Sequence, residues 1–164
     1  MANFVPRLDS YGMSGSDYYY SGNPFYQAGY GLPNCTCYAW GRWYELLGYK
    51  PSGLSTGNAD TWIDRNSTYE VGYTPKLGAI LVSSYDGGGD GGHVSVVEQI
   101  NNDGSIITSN SAWGGSYFYT EKLWPPYEFA SYVNFVIAHD LVIMVMLQLK
   151  IWFMRLKQSL KVKP

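Results

Sequence analysis

The stretch Pro33-Asn34-Cys35-Thr36-Cys37-Tyr38-Ala39-Trp40 sets two thiols where a loop must turn into a helix, and it constrains the chain more than any other. Asn34 is a strong N-cap residue, Cys35 to Leu47 contains no Pro and only Gly41 as a helix breaker, and Gly48 supplies a C-terminal stop. The sequence therefore predicts a helix over Cys35–Leu47. Cys35 then falls in the first turn, where unpaired N–H groups and the positive end of the helix dipole favour an anion and lower a thiol's pKa. Cys35, Ala39, Trp43 and Leu46 recur at helical spacing and form the stripe expected to pack inward. Cys37 lies about 200° further round and looks elsewhere, so a strain-free disulfide between the two is not expected. A small buried thiol with no chemistry leaves the same local signature. A nucleophile at Cys35 needs a base from another part of the chain.

The 164 residues suffice for one domain with a real core and are too few for two ordinary ones. Aromatics at 17%, charged residues at 15%, 19 Gly and 16 Tyr describe a loop-rich, sheet-containing protein more than a helical bundle. A net charge of −2 carries no nucleic-acid footprint. That balance is uneven, because residues 1–149 hold six cationic residues against all thirteen acids, while Lys150, Arg155, Lys157, Lys161 and Lys163 follow without an acid among them. Two cysteines exclude a disulfide scaffold, and two histidines argue against a multi-histidine zinc centre. The N-terminal residues show no charged segment followed by an apolar run, so synthesis in the cytosol without a secretory signal is expected.

Residues 8–33 are rich in Gly, Ser, Asn and Tyr without a sustained period and read as an ordered, tyrosine-packed surface loop. Asp9 and Asp17 are not spaced as a calcium loop and read as isolated carboxylates. Thr56–Ile63 reads as a second short helix, and Ala79–Val82 as a short buried strand. Asp86–Gly92 is a glycine-rich loop that lacks the Lys-Ser/Thr ending of a phosphate cradle.

The second informative stretch is Gly92-His93-Val94-Ser95-Val96-Val97-Glu98-Gln99-Ile100, a strand by its β-branched content. Asn101-Asn102-Asp103-Gly104 is a hairpin turn, with Ser105–Asn110 returning. Alternation puts His93, Ser95 and Val97 on one face and Val94, Val96 and Glu98 on the other, so Glu98 is a poor orienting partner for His93. An even loop, with Ile100 opposite Ser105, sets Asn110 across from Ser95 and within reach of His93; an odd, bulged loop brings Ser109 round instead. Tyr117–Tyr119 and Ala130–Ala138 read as further strands, Trp124–Tyr127 as a rigid turn, and His139 as a surface residue.

A thiol at a helix start, a histidine at a strand start and an amide on the next strand form a set suited to acyl transfer. Four blocks carry a resemblance in order and at suitable intervals: Asn34-Cys35-Thr36-Cys37-Tyr38-Ala39-Trp40-Gly41-Arg42, Gly57-Asn58-Ala59-Asp60-Thr61-Trp62, Thr74-Pro75-Lys76-Leu77-Gly78-Ala79-Ile80 and Gly92-His93-Val94-Ser95-Val96-Val97-Glu98. Over about residues 30–138 the chain resembles the CHAP domain, the cysteine, histidine-dependent amidohydrolase/peptidase domain of phage-type peptidoglycan hydrolases. The resemblance implies an α+β, papain-like fold with N-terminal helices packed on an antiparallel sheet. It implies peptidoglycan as substrate, no cofactor, and Cys35, His93 and Asn110 as nucleophile, base and third residue; Trp113 and Tyr38 are expected to bind substrate. Cys37 stands where the family usually has tryptophan, only an amide is present near the third site, and a calcium site found in some members cannot be matched.

This divides the chain into an aromatic, Gly-rich N-terminal extension packed on the domain (1–29), a catalytic domain (30–138) and a basic, apolar C-terminal tail (139–164). The tail fits no part of the family pattern. It reads as a docked helix, as an interfacial or wall-directed basic segment, or as a remnant of a second domain. The functional expectation is a monomeric cell-wall lytic enzyme, an endolysin or virion-associated lysin, that cleaves an amide in peptidoglycan at the bacterial cell wall. The alternative is a non-catalytic wall-binding or virion structural module of the same fold.

Overall fold

Local signals at both ends of the thiol helix act as expected in the computed structural model, which describes residues 4–66, 68–84, 91–125, 132–137 and 139–161. After a short helix α1 (Pro24–Gln27), α2 runs Cys35–Leu47. The Asn34 side chain accepts from the Thr36 and Cys37 N–H groups, and Gly48 closes the helix at φ 76° with its N–H on the Tyr44 carbonyl. An N-cap of this kind is worth about 1 kcal/mol.

Six strands follow in chain order: β1 (Glu70–Gly72), β2 (Ile80–Ser84), β3 (His93–Ile100), β4 (Ile106–Asn110), β5 (Tyr119–Leu123) and β6 (Tyr132–Ile137). They form one antiparallel sheet in the order β1-β6-β2-β3-β4-β5, and α3 (His139–Lys161) ends the described chain. The fold is α+β, as expected. Val94 and Val96 of β3 and Ile80 and Val82 of β2 pack with Tyr38, Ala39, Trp43 and Leu46 of α2. Trp43 Nε1 donates to the Gly78 carbonyl at 2.7 Å and pins α2 to the turn before β2. A smaller cluster, Ala79, Leu81, Val97, Ile106 and Leu123, packs separately.

Residues 8–33 form an ordered surface segment, as expected, but one that sends anchors into the core. Met13 and Tyr19 are fully buried and Phe25 nearly so, because this segment covers the side of α2 turned away from the sheet. Gly41 makes that possible. A Cβ at this position would lie 2.7 Å from the Tyr18 carbonyl oxygen and 2.5 Å from Tyr19 Cδ1. Helix α2 is therefore buried around most of its circumference. Asn23, also buried, donates to the Tyr18 and Cys37 carbonyls and caps α1 through the Phe25 N–H. Asp9 and Asp17 are local turn acceptors, taking the Tyr11 N–H and the Ser21 hydroxyl respectively.

A buried charge network ties the same segment to the sheet. Glu98 is fully buried and accepts from Arg42 Nε and Nη2, both at 2.9 Å, from Ser109 Oγ at 2.7 Å and from the Arg7 N–H at 2.9 Å. Arg7 and Arg42 both pair with Glu45, which also accepts from the Tyr19 hydroxyl. Four donors around one carboxylate meet the condition under which a buried charge is tolerated.

Several expectations are revised. The helix expected at Thr56–Ile63 is a single 3₁₀ turn, Ala59–Trp62, and β1 had no sequence signal. The strand expected around Tyr117–Tyr119 begins at Tyr119. Residues 86–90 of the glycine-rich loop, the latter part of the Trp124–Tyr127 turn and the His139 side chain lie outside the described residues. No described helix is long and apolar enough to cross a membrane.

Candidate active site

The hairpin between β3 and β4 decides which side chain meets His93. Its loop is odd, with Asn101–Ser105 between the paired Ile100 and Ile106. That alone would bring Ser109 round. A bulge at Glu98, however, shifts the register between Val97 and Gln99, so Val97 pairs with Thr108 and Val96 with Ser109. The two irregularities cancel. Asn110 falls beside Ser95 on the His93 side, and Ser109 turns to the α2 side, where it donates to Glu98.

His93 Nε2 and Asn110 Oδ1 are 3.0 Å apart. The buried Asn110 donates its Nδ2 to Thr108 Oγ1 at 3.0 Å, which leaves its oxygen to accept from the ring. With Nε2–H donating to Asn110, Nδ1 is the ring nitrogen left free for Cys35, whose thiol interacts with the imidazole. Burial pushes the Cys35 thiol up, but the hydrogen bond and charge of His93, with the Val94 and Thr36 N–H groups, bring it below its ordinary value of 9.0. For His93 burial acts downward, while Cys35, Asn110 and the charge of Glu121 raise the imidazole above 6.5 on balance. Each group stabilises the charged form of the other, the condition for a thiolate–imidazolium pair.

Cys37 is the deeper thiol. It is fully buried, with Sγ 3.6 Å from the Tyr19 carbonyl, and burial drives it up to about 12. Both cysteines are free. The stripe that put Cys35 inward and Cys37 elsewhere assumed one wet face; the N-terminal segment covers that face, so the half-buried Cys35 is the thiol left at the surface.

Cys35 opens onto a groove of about 450 Å³ whose walls include Phe25, Tyr30, Asn58, Gly91, Gly92 and Trp113. Trp113 is 66% exposed, and its ring lies 6.1 Å from that of Tyr30 on the rim. Tyr38 is not in the groove. It is fully buried, stacked on Tyr19 and edge-on to Phe118, so its expected contact with substrate is withdrawn. Among the described residues no acceptor takes the Cys35 N–H, because the Asn34 cap engages the next two. Ser111, which the sequence did not single out, accepts the Asn34 N–H at 3.1 Å. The end of β4 thus contacts both His93, through Asn110, and the start of α2. Among the described residues no group of three or more His, Cys, Asp or Glu is placed to hold a metal ion.

Fold and site together define an α+β domain with a thiol, an imidazole and an amide linked in that order, the thiol opening onto a groove. Within that class the chain belongs to the CHAP domain family, which matches residues 25–112. It is 36% identical over 121 residues to an N-acetylmuramoyl-L-alanine amidase domain-containing protein of Staphylococcus aureus, covering 65% of this chain and 19% of that protein. It is also 36% identical over 107 residues to the staphylococcal secretory antigen SsaA, covering 64% of this chain and 37% of the antigen. The crystal structure of an N-acetylmuramoyl-L-alanine amidase from Staphylococcus aureus superposes with a TM-score of 0.51 at 27% identity, over 80% of this chain and 37% of that one. The chain therefore spans well under half the length of each of these proteins.

Proposed function

We propose that this chain is a peptidoglycan hydrolase that cleaves an amide bond through the Cys35 thiolate. The observation that carries the reading is the linked order Cys35, His93, Asn110 beneath an open groove, with the thiol lowered and the imidazole raised. In this mechanism Cys35 Sγ attacks the carbonyl carbon and the oxygen becomes an oxyanion that accepts from the Cys35 N–H. The His93 imidazolium gives its proton to the departing amine as the C–N bond breaks, leaving a thioester. Water then attacks the thioester, His93 takes its proton, and the carboxylic acid leaves as the thiol is restored. Asn110 holds the ring so that Nδ1 stays on the sulfur, and it adds no charge.

Trp113 and Tyr30 offer flat apolar faces at the rim, suited to a sugar ring or an extended peptide. Two of the relatives are named as amidases or amidase-domain proteins, which favours the amide between muramic acid and the stem peptide over one within the peptides. A lytic role, as an endolysin or virion-associated lysin, is part of the proposal and is supported by the sequence reading alone. Mass spectrometry of digested, purified peptidoglycan tests the reaction. A new amine on the first stem residue supports the amidase form, a new amine within stem or cross-bridge gives an endopeptidase, and no new amine at all rejects the proposal.

A further inference from the structure

The catalytic reading does not use α3, a helix of 23 residues that reaches about 34 Å and touches the domain through α2. Its described side chains are unusually apolar for their exposure. Met146 is 60%, Trp152 57% and Phe153 54% exposed, and Leu149 and Leu156 are exposed as well. Leu149, Trp152, Phe153 and Leu156 stand at i, i+3, i+4 and i+7, and Met146 extends the same stripe one turn back. The Trp152 and Phe153 rings meet edge-on at 5.1 Å and form a ridge on it. Lys150 and Lys157, seven residues apart, run along one border of the stripe, and Arg155 lies beyond the other. No acid follows Asp140, although the preceding chain is strongly acidic.

We propose that α3 is an interfacial anchor that lies on an anionic phospholipid surface, with the Trp152–Phe153 ridge in the acyl boundary and Lys150, Arg155 and Lys157 on the headgroups. The charge pattern selects this occupant. A second copy would bring these cations against their own equivalents, with no acid in 141–164 to pair them. A groove in a protein partner would cover one row, yet Leu147, Ile151 and Met154 on the other side are exposed too. A helix sunk about 5–10 Å into an interface accommodates both rows while long cationic side chains reach the headgroups. The acidic body is repelled by the same surface, which leaves α3 as the point of contact.

The test is co-sedimentation of the full chain with large vesicles of phosphatidylcholine alone or mixed with phosphatidylglycerol, at physiological salt. Binding to the mixed vesicles and not to phosphatidylcholine is expected, with loss in 1 M NaCl. The pair Lys150→Gln and Lys157→Gln should weaken partition about 25-fold, from about fivefold per cation near an anionic surface. The pair Trp152→Ser and Phe153→Ser should weaken it more than tenfold with both charges intact, and circular dichroism and thermal melts check that both variants keep the fold. No binding, or equal binding to uncharged vesicles, overturns the proposal. So does full binding by the Trp152→Ser, Phe153→Ser variant, which would mean attraction to any polyanion. A dimer in light scattering that dissociates in that variant, without vesicle binding in the parent, assigns the stripe to a second copy instead.

Discussion

Replacing His93 by Ala removes the two strongest influences that lower the Cys35 thiol and leaves the burial that raises it, opposed only by the Val94 and Thr36 N–H groups. The first-ranked influence on Cys35 is burial, which acts upward; the hydrogen bond and charge of His93 come next and act downward. In the parent the balance lies below 9.0, and without His93 it should rise. A thiol at 9.0 is about 1% thiolate at pH 7, and each unit below that raises the fraction about tenfold. Cys37, up at about 12, is about one part in 100,000 thiolate at the same pH, so alkylation of the native protein reports Cys35 alone. The assay is the rate of carboxyamidomethylation by iodoacetamide between pH 5 and 10, with the modified cysteine identified by peptide mapping. The parent should show a reactive plateau that is lost as pH falls through an inflection below 9.0, whereas His93→Ala should inflect at a higher pH and react more slowly at pH 7. An inflection at or above 9.0 in the parent, or an unchanged profile in the variant, would refute the coupling of the two residues.

Three further outcomes follow from particular contacts. Asn110→Ala removes the acceptor from His93 Nε2, and losing a hydrogen bond to a charged ring, worth about 1.5–3 kcal/mol, should lower kcat/KM on solubilised peptidoglycan about 10–100-fold; a change under twofold would exclude a positioning role. Gly41→Ala gains about 1 kcal/mol of helix propensity but forces a methyl to within 2.7 Å of the Tyr18 carbonyl, so urea unfolding should show a net loss of about 1–3 kcal/mol. Glu98→Ala removes the buried partner of Arg42 Nε and Nη2, leaving Glu45 as the remaining carboxylate, and should cost about 3 kcal/mol in the same assay, which an isostable variant would contradict.

What the sequence disclosed and what it hid have different physical origins. Both ends of α2 were legible because capping is local: Asn34 and Gly48 act on backbone groups within four residues of themselves. The limits of β3 were legible for a similar reason, since its run of β-branched residues is bounded by glycines before and a turn after. That residues 8–33 pack on the domain was expected, but which of them are buried, Met13, Tyr19, Asn23 and Phe25, was hidden because the segment has no period of its own, being shaped to cover α2 rather than to form an element. Its one trace is Gly41, a glycine inside a helix, which marks where another backbone must approach closely. The position of Asn110 beside His93 was reached from an even loop, whereas the structure has an odd loop and a compensating bulge. Glu98 was the residue that held that information, since a fully buried carboxylate in an apolar strand has to turn toward a cation, and Arg42 is on the α2 side. Tyr38 was misread for lack of any sequence mark that separates an aromatic at the groove from one beneath it.

The central claim is that, of two thiols two residues apart, the half-buried Cys35 forms the acyl bond and the buried Cys37 serves packing. Turbidity loss and released amines from purified peptidoglycan, measured in parallel for Cys35→Ala and Cys37→Ala after circular dichroism confirms folding, test this most directly. The account predicts no detectable hydrolysis by Cys35→Ala and substantial hydrolysis by Cys37→Ala. Full activity in Cys35→Ala, or its loss in a folded Cys37→Ala alone, would contradict it.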